Sequence, residues 1–144
     1  MQDRSSHILM QHYRNPVANQ LLDRPDFDAK RRNNLCGDEI HLQFRMDETG
    51  KIIEFGWHAK GCMLVKSSAS ILSDVLTGRP LDEARGVAGS FITWLDDVET
   101  SGDDHNAPQL IRELGVFDEM SNYPGRIPCI KLPWRAFMDA ISQS

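Results

Sequence analysis

Hydrophobic and polar residues alternate from Glu39 to Met46. Ile40, Leu42, Phe44 and Met46 fall on one side and His41, Gln43 and Arg45 on the other, the period of a half-buried strand. Asp47-Glu48-Thr49-Gly50 reads as a hairpin turn with glycine where a positive φ is needed. Lys51 to Lys60 returns as extended chain rich in Ile, Phe and Trp, forming one strand or two split near Glu54 to Gly56. Elsewhere the period is helical. Ile8, Leu9, His12 and Tyr13 mark a short amphipathic helix over Ser5 to Tyr13, stopped at Asn15-Pro16. Ile71, Leu72, Val75 and Leu76 mark another, capped at Ser67 or Ser68 and closed by Gly78 and Pro80. A longer stripe of Leu81, Ala84, Val87, Ala88, Phe91, Ile92, Leu95 and Val98 is expected to pack on the sheet. Trp134, Phe137, Met138 and Ile141 give a C-terminal helix entered at Pro133. Between these elements, Pro16 to Leu35 has no clear period and reads as irregular surface, and Thr100 to Asn106 as a polar loop. Pro108 to Leu114 reads as a short helix ended by Gly115, and Tyr123-Pro124-Gly125 as a turn.

Helix, strands, then only helices predict an α+β fold: a small antiparallel β-sheet of about three strands with helices packed on one face. There is no βαβ alternation and no GxGxxG or GxxxxGK[ST] motif, which disfavours a nucleotide-binding fold. The 144 residues are expected to form a single domain over 1–144. With 40% apolar and 26% charged residues the composition is that of a globular protein. Sixteen Lys and Arg against 21 Asp and Glu leave a net charge of −5, a poor match to a phosphate backbone, so no nucleic-acid partner is expected. Ile8-Leu9-Met10 is too short for a signal-peptide core, and Cys62-Met63-Leu64-Val65 falls far short of the roughly 20 residues that span a bilayer, so a cytoplasmic location without membrane association is expected.

Three cysteines cannot close a disulfide framework and point to metal binding, thiol chemistry or plain packing. Cys36 lies in Leu35-Cys36-Gly37-Asp38, at the entry to the first strand. Cys62 lies in Lys60-Gly61-Cys62-Met63, where sheet gives way to helix, and Cys129 in Arg126-Ile127-Pro128-Cys129, before the last helix. All three sit at element ends beside glycine or proline, where chemistry is commonly placed. If these ends converge, three thiolates and the Asp38 carboxylate make the four ligands that zinc prefers. The residues alone leave a second reading open, in which the cysteines are unrelated buried side chains and Asp38 is exposed, because no CxxC pair marks a zinc site.

Cys36-Gly37-Asp38, Gly61-Cys62 followed by Ser67-Ser68-Ala69-Ser70, and Arg126-Ile127-Pro128-Cys129 with Leu132-Pro133-Trp134 resemble the IscU/SufU family of iron–sulfur cluster assembly proteins. His12-Tyr13-Arg14-Asn15-Pro16 is similar to that family's N-terminal HYxNP element, and the likeness runs from about residue 8 to 141. The resemblance implies an IscU/SufE-like fold. The IscU branch has a histidine immediately before its third cysteine, where this chain has Pro128; the SufU branch lacks it and carries an insertion in the space of Gly102 to Met120. Resemblance to SufU implies zinc held by Cys36, Asp38, Cys62 and Cys129. It also implies acceptance of sulfur, through Cys36, from the persulfide of a PLP-dependent, SufS-like cysteine desulfurase, and partnership with other iron–sulfur assembly proteins. The alternative within the family is a scaffold holding a transient [2Fe–2S] cluster on the same ligands, and a third reading is a structural zinc domain without transfer activity.

Arg126, three residues before Cys129, is a candidate for stabilising a thiolate or persulfide, or a surface arginine at a helix start. His7, His12, His41, His58 and His105 read as surface or packing residues, His58 being the best outside candidate for a ligand. Lys30-Arg31-Arg32 reads as a solvated loop or a dock for an acidic partner. Trp134 is expected to anchor the last helix against the sheet.

Overall fold

The computed structural model describes residues 3–33, 37–101 and 112–142. Three strands form one antiparallel sheet in the order β1 (Phe27–Asn33), β2 (Asp38–Met46), β3 (Ile52–Lys60). Six helical pieces accompany them among the described residues: α1 (Asp3–Arg14), α2 (Met63–Leu76), α3 (Leu81–Ser101), a 3₁₀ segment (Arg112–Asn122), a short 3₁₀ turn (Pro124–Arg126), and α4 (Ile127–Ser142). α2 and α4 cover the inner face of the sheet, α1 packs on α2, and α3 packs on α4. The fold is the α+β arrangement expected.

The alternation in β2 holds: Ile40, Leu42 and Phe44 are buried against the helices. Register then places Phe55, Trp57 and Ala59 of β3 opposite Phe44, Leu42 and Ile40, completing one apolar face. β3 is a single strand from Ile52 to Lys60, and the third strand comes from the Pro16–Leu35 segment that was expected to be irregular. β1 hides from a reading by period because its inward positions are Phe27, Ala29 and Arg31, too polar a set to show alternation. It forms because β2 supplies a ladder, Phe27 stacks on Phe44 at 4.5 Å between ring centroids, and Arg31 reaches Asp139 of α4 at 2.7 Å. Its Lys30 and Arg32 face out on an edge strand, where charge discourages further pairing. The tripeptide Lys30-Arg31-Arg32 is therefore strand, not loop.

The chain before β1 is also fastened down. The Trp57 indole N–H donates to Val17 C=O at 2.8 Å, the Trp57 backbone N–H to Ala18 C=O at 3.1 Å, and the Leu22 N–H to Gln43 Oε1 at 2.8 Å. Gly56 permits this crossing, since a Cβ there would lie 2.8 Å from Leu22 Cγ.

Three helix boundaries depart from expectation. α2 begins at Met63 with Cys62 as N-cap, and Ser67 and Ser68 are buried within it, donating to Leu9 C=O and Ile130 C=O at 2.8 and 2.7 Å. α4 begins at Ile127, so Pro128 is the first-turn proline and Pro133 lies inside the helix, where it has no N–H to give Cys129 C=O. α3 runs through Thr100 to Ser101, and Leu114 and Gly115 belong to the 3₁₀ segment; the rest of the expected loop and of the Pro108–Leu114 helix lies outside the described residues. α3 packs mainly on α4 rather than on the sheet. Trp134 is core as expected, but it meets Phe91 of α3 edge-on at 4.8 Å and donates to Ser68 Oγ of α2 at 3.0 Å. Phe137 is the α4 residue that packs on the sheet, 5.1 Å from Phe44.

α1 is held to α2 through Ser70, whose Oγ accepts the Val17 N–H at 2.8 Å and lies 2.7 Å from His12 Nδ1. Where the Ser70 hydroxyl donates to Nδ1, the imidazole must be neutral. Burial lowers the His12 pKa from 6.5, partly opposed by the charge of Asp74. A lowered histidine pKa gives stability that is present above the unfolded value and lost as pH falls through it toward the folded value. Urea unfolding at about pH 7.5 and about pH 5.5 should show wild type losing more stability on acidification than His12→Gln; equal losses would remove His12 as the source.

Candidate metal centre

Three chain ends meet at one end of the sheet. β2 opens with Asp38, whose register partner in β1 is Asn33 and whose side chain shares the inner face with Ile40. β3 closes at Lys60, Gly61 turns the chain with φ +138°, and Cys62 caps α2. Cys129 stands in the first turn of α4. Asp38 and Cys129 are 2% and 4% exposed, Cys62 is half-buried, and one carboxylate oxygen and the two sulfurs all lie within 4.8 Å of one another.

The two oxygens of Asp38 are used differently. Oδ1 accepts the N–H of Cys62, the N-cap of α2, at 3.3 Å, and Cys62 itself makes no side-chain cap hydrogen bond. Oδ2 is buried and has no hydrogen-bond partner. A buried acceptor left unpaired costs roughly 1–3 kcal/mol, more if charged. The sulfurs lie at the N-terminal ends of α2 and α4, where helix dipoles favour negative charge. Burial nonetheless pushes the Cys129 thiol well up, reinforced by hydrogen bonding and charge from Asp38 and Cys62. Three potential anions crowded in a closed space call for a cation. Two thiolates and a carboxylate suit zinc or iron and poorly suit calcium or magnesium, which prefer all-oxygen shells. The residues present fit a transition-metal ion.

Of the four expected ligands, Asp38, Cys62 and Cys129 come together, and Asp38 is buried, not exposed. Cys36 lies outside the described residues. The covalent chain keeps its Cα within about 7 Å of that of Asp38, and its loop is pinned at the base by the Gly37 N–H to Asn33 C=O bond at 2.9 Å. Arg126 is exposed at the end of the short 3₁₀ turn and has no ion pair or side-chain hydrogen bond among the described residues. His58 is exposed on the outer sheet face opposite His41, away from the cluster. The sequence reading missed Lys131, two residues past Cys129. It is 9% exposed, and its Nζ lies 2.8 Å from Asp96 Oδ1 and 2.6 Å from Glu99 Oε1, tying the start of α4 to α3. A charged residue amid an apolar helix was its only signal.

A three-stranded sheet backed by helices, with thiols and a carboxylate gathered where the sheet meets two helix N-termini, defines a small α+β domain with a candidate thiolate–carboxylate metal centre. Residues 4–94 match the family model described as the NifU-like N terminal domain, and the chain belongs to that family, which includes IscU and SufU. It is 28% identical over 138 residues to "Iron-sulfur cluster assembly scaffold protein IscU" of Streptococcus pyogenes serotype M1, covering 95% of this chain and 82% of that one. It is 24% identical over 137 residues to "Zinc-dependent sulfurtransferase SufU" of Bacillus subtilis, covering 94% and 88%. The fold is shared with the crystal structure of FiSufU from Fervidobacterium islandicum, at TM-score 0.79 and 20% identity over 93% of each chain. It is shared also with the N-terminal NifU-like protein of Brucella abortus, at TM-score 0.76 and 20% identity over 94% and 90%.

A metal at this centre ties β2 to the first turns of α2 and α4, so its removal should loosen the fold. Thermal melts with and without a zinc chelator should show a fall in the midpoint of the wild-type protein and little further change in Cys62→Ser or Cys129→Ser. A wild-type midpoint indifferent to chelator would exclude a structural contribution from the metal.

Proposed function

We propose that this protein is a zinc-dependent sulfurtransferase of iron–sulfur cluster assembly, taking sulfur from a cysteine desulfurase and passing it on within the cytoplasm. The observation that carries the reading is the cluster of a buried Asp38, its Oδ2 without a partner, with the thiols of Cys62 and Cys129, one carboxylate oxygen and both sulfurs lying within 4.8 Å of one another. Pro128 in front of Cys129 supports it further, because proline offers no ligand atom where a histidine would. The SufU relative, whose name describes it as a zinc-dependent sulfurtransferase, points the same way.

Cys36, Asp38, Cys62 and Cys129 would hold the zinc, which keeps bound thiols deprotonated near neutral pH. Cys36 is the proposed acceptor, because its neighbour in sequence is Gly37, with φ +74°, whereas Cys62 and Cys129 are locked into helix starts. Its thiolate attacks the outer sulfur of the partner's cysteine persulfide. The partner's S–S bond breaks, a new S–S bond forms on Cys36, and the partner cysteine leaves as a thiolate, so charge and electrons balance. Arg126, exposed and uncommitted among the described residues, is available to meet the anionic sulfur as it arrives.

A second reading, a scaffold for a transient [2Fe–2S] cluster on the same ligands, draws on the likeness to the S. pyogenes protein named as a scaffold. Incubation with a SufS-type desulfurase and cysteine, followed by peptide mass spectrometry, should place the added sulfur on Cys36. Arg126→Ala should slow the transfer without changing its site. Sulfur found mainly on Cys62 or Cys129, or a Cys36→Ser variant that still stimulates the desulfurase fully, would contradict the assignment.

A further inference from the structure

Gly61 lies between β3 and Cys62 with φ +138°, and its missing side chain faces Asp38. A Cβ built on Gly61 falls on Asp38 Oδ1, and lies 2.8 Å from Cγ and 3.1 Å from Cβ of the same residue. The space that any larger residue would fill is thus occupied by the carboxylate. That carboxylate is buried, at 2% exposed, and is held by the Cys62 N–H on Oδ1. Its other oxygen, Oδ2, is the unpartnered one.

We infer that Gly61 is a positioning residue that decides whether Asp38 serves as a metal ligand: the absent Cβ is the seat of the Asp38 carboxylate, and filling it turns a mixed thiolate–carboxylate centre into one without the carboxylate. The inference rests on the metal-binding reading and assigns the oxygen ligand to a pair of residues rather than to Asp38 alone. Asp38 is carried to the site by β2 and Gly61 by the turn after β3, so the oxygen ligand exists only while these two neighbouring strands hold register, Glu39 opposite Lys60. Gly61 meets two demands together, a φ that L side chains rarely adopt and a contact that no Cβ permits.

Cobalt(II) reports the ligand set through its d–d and sulfur-to-metal absorption bands. Titrated with cobalt, Gly61→Ala should give the spectrum of Asp38→Ala rather than that of wild type. By competition with a chelator, both variants should bind zinc about 10–100-fold more weakly, and the double variant should bind little more weakly than either. To separate the clash from backbone strain, D-alanine is placed at 61 by ligating the chain at the Gly61–Cys62 junction. D-alanine accepts the positive φ and points its methyl away from the L position, so this protein should keep the wild-type spectrum even if Gly61→Ala fails to fold. A wild-type cobalt spectrum in Gly61→Ala, the same loss with either enantiomer, or fully additive losses in the double variant would overturn the inference. Failure of the wild-type protein to bind either metal would instead overturn the proposed function.

Discussion

The organising constraint of this structure is the burial of an aspartate beside two thiols. A carboxylate that is 2% exposed needs a partner for each oxygen, and Asp38 finds one in the chain, the Cys62 amide. The remaining demand falls on Oδ2, which is buried without a partner in a site where a carboxylate oxygen and two sulfurs lie within 4.8 Å of one another. Burial and neighbouring negative charge push the Cys129 thiol up, so a cation is what would let this centre hold its thiolate. The rest of the fold is arranged to hold that imbalance in place.

The sheet supplies Asp38 through the register of β1, β2 and β3, and the helices supply the sulfurs through their first turns. Those first turns are anchored by interactions away from the centre. Ser68 joins α2 to Ile130 C=O and the Trp134 indole, Lys131 joins α4 to Asp96 and Glu99, and Phe137 seats α4 on Phe44. The anchors on α4 start one residue past Cys129, so displacement of that helix would displace the sulfur.

Much of this was legible in the sequence because the signals were local. Alternation in β2 and helical periods in α1, α2, α3 and α4 gave the α+β class, and the cysteines at element ends beside glycine or proline marked the centre. What escaped notice depends on partners distant in the chain. β1 exists because β2 offers hydrogen bonds and Phe44 a stacking surface, neither visible in Phe27-Asp28-Ala29-Lys30. α4 was entered six residues late because Pro133 resembles a helix start, whereas Pro128 is the proline that occupies one. Ser67 and Ser68 have the chemistry of caps but spend their hydroxyls on Leu9 and Ile130, while the N–H of the N-cap residue Cys62 goes to a carboxylate from another strand. That Asp38 is buried with one oxygen unpaired is likewise a property of the assembled site and not of its sequence neighbours.

The metal itself tests the account most directly. Protein purified without oxygen should contain close to one zinc per chain. X-ray absorption at the zinc edge should show a shell dominated by cysteine sulfur with one short oxygen neighbour contributed by Asp38. A metal-free protein of full stability, or iron with acid-labile sulfide in place of zinc, would contradict it.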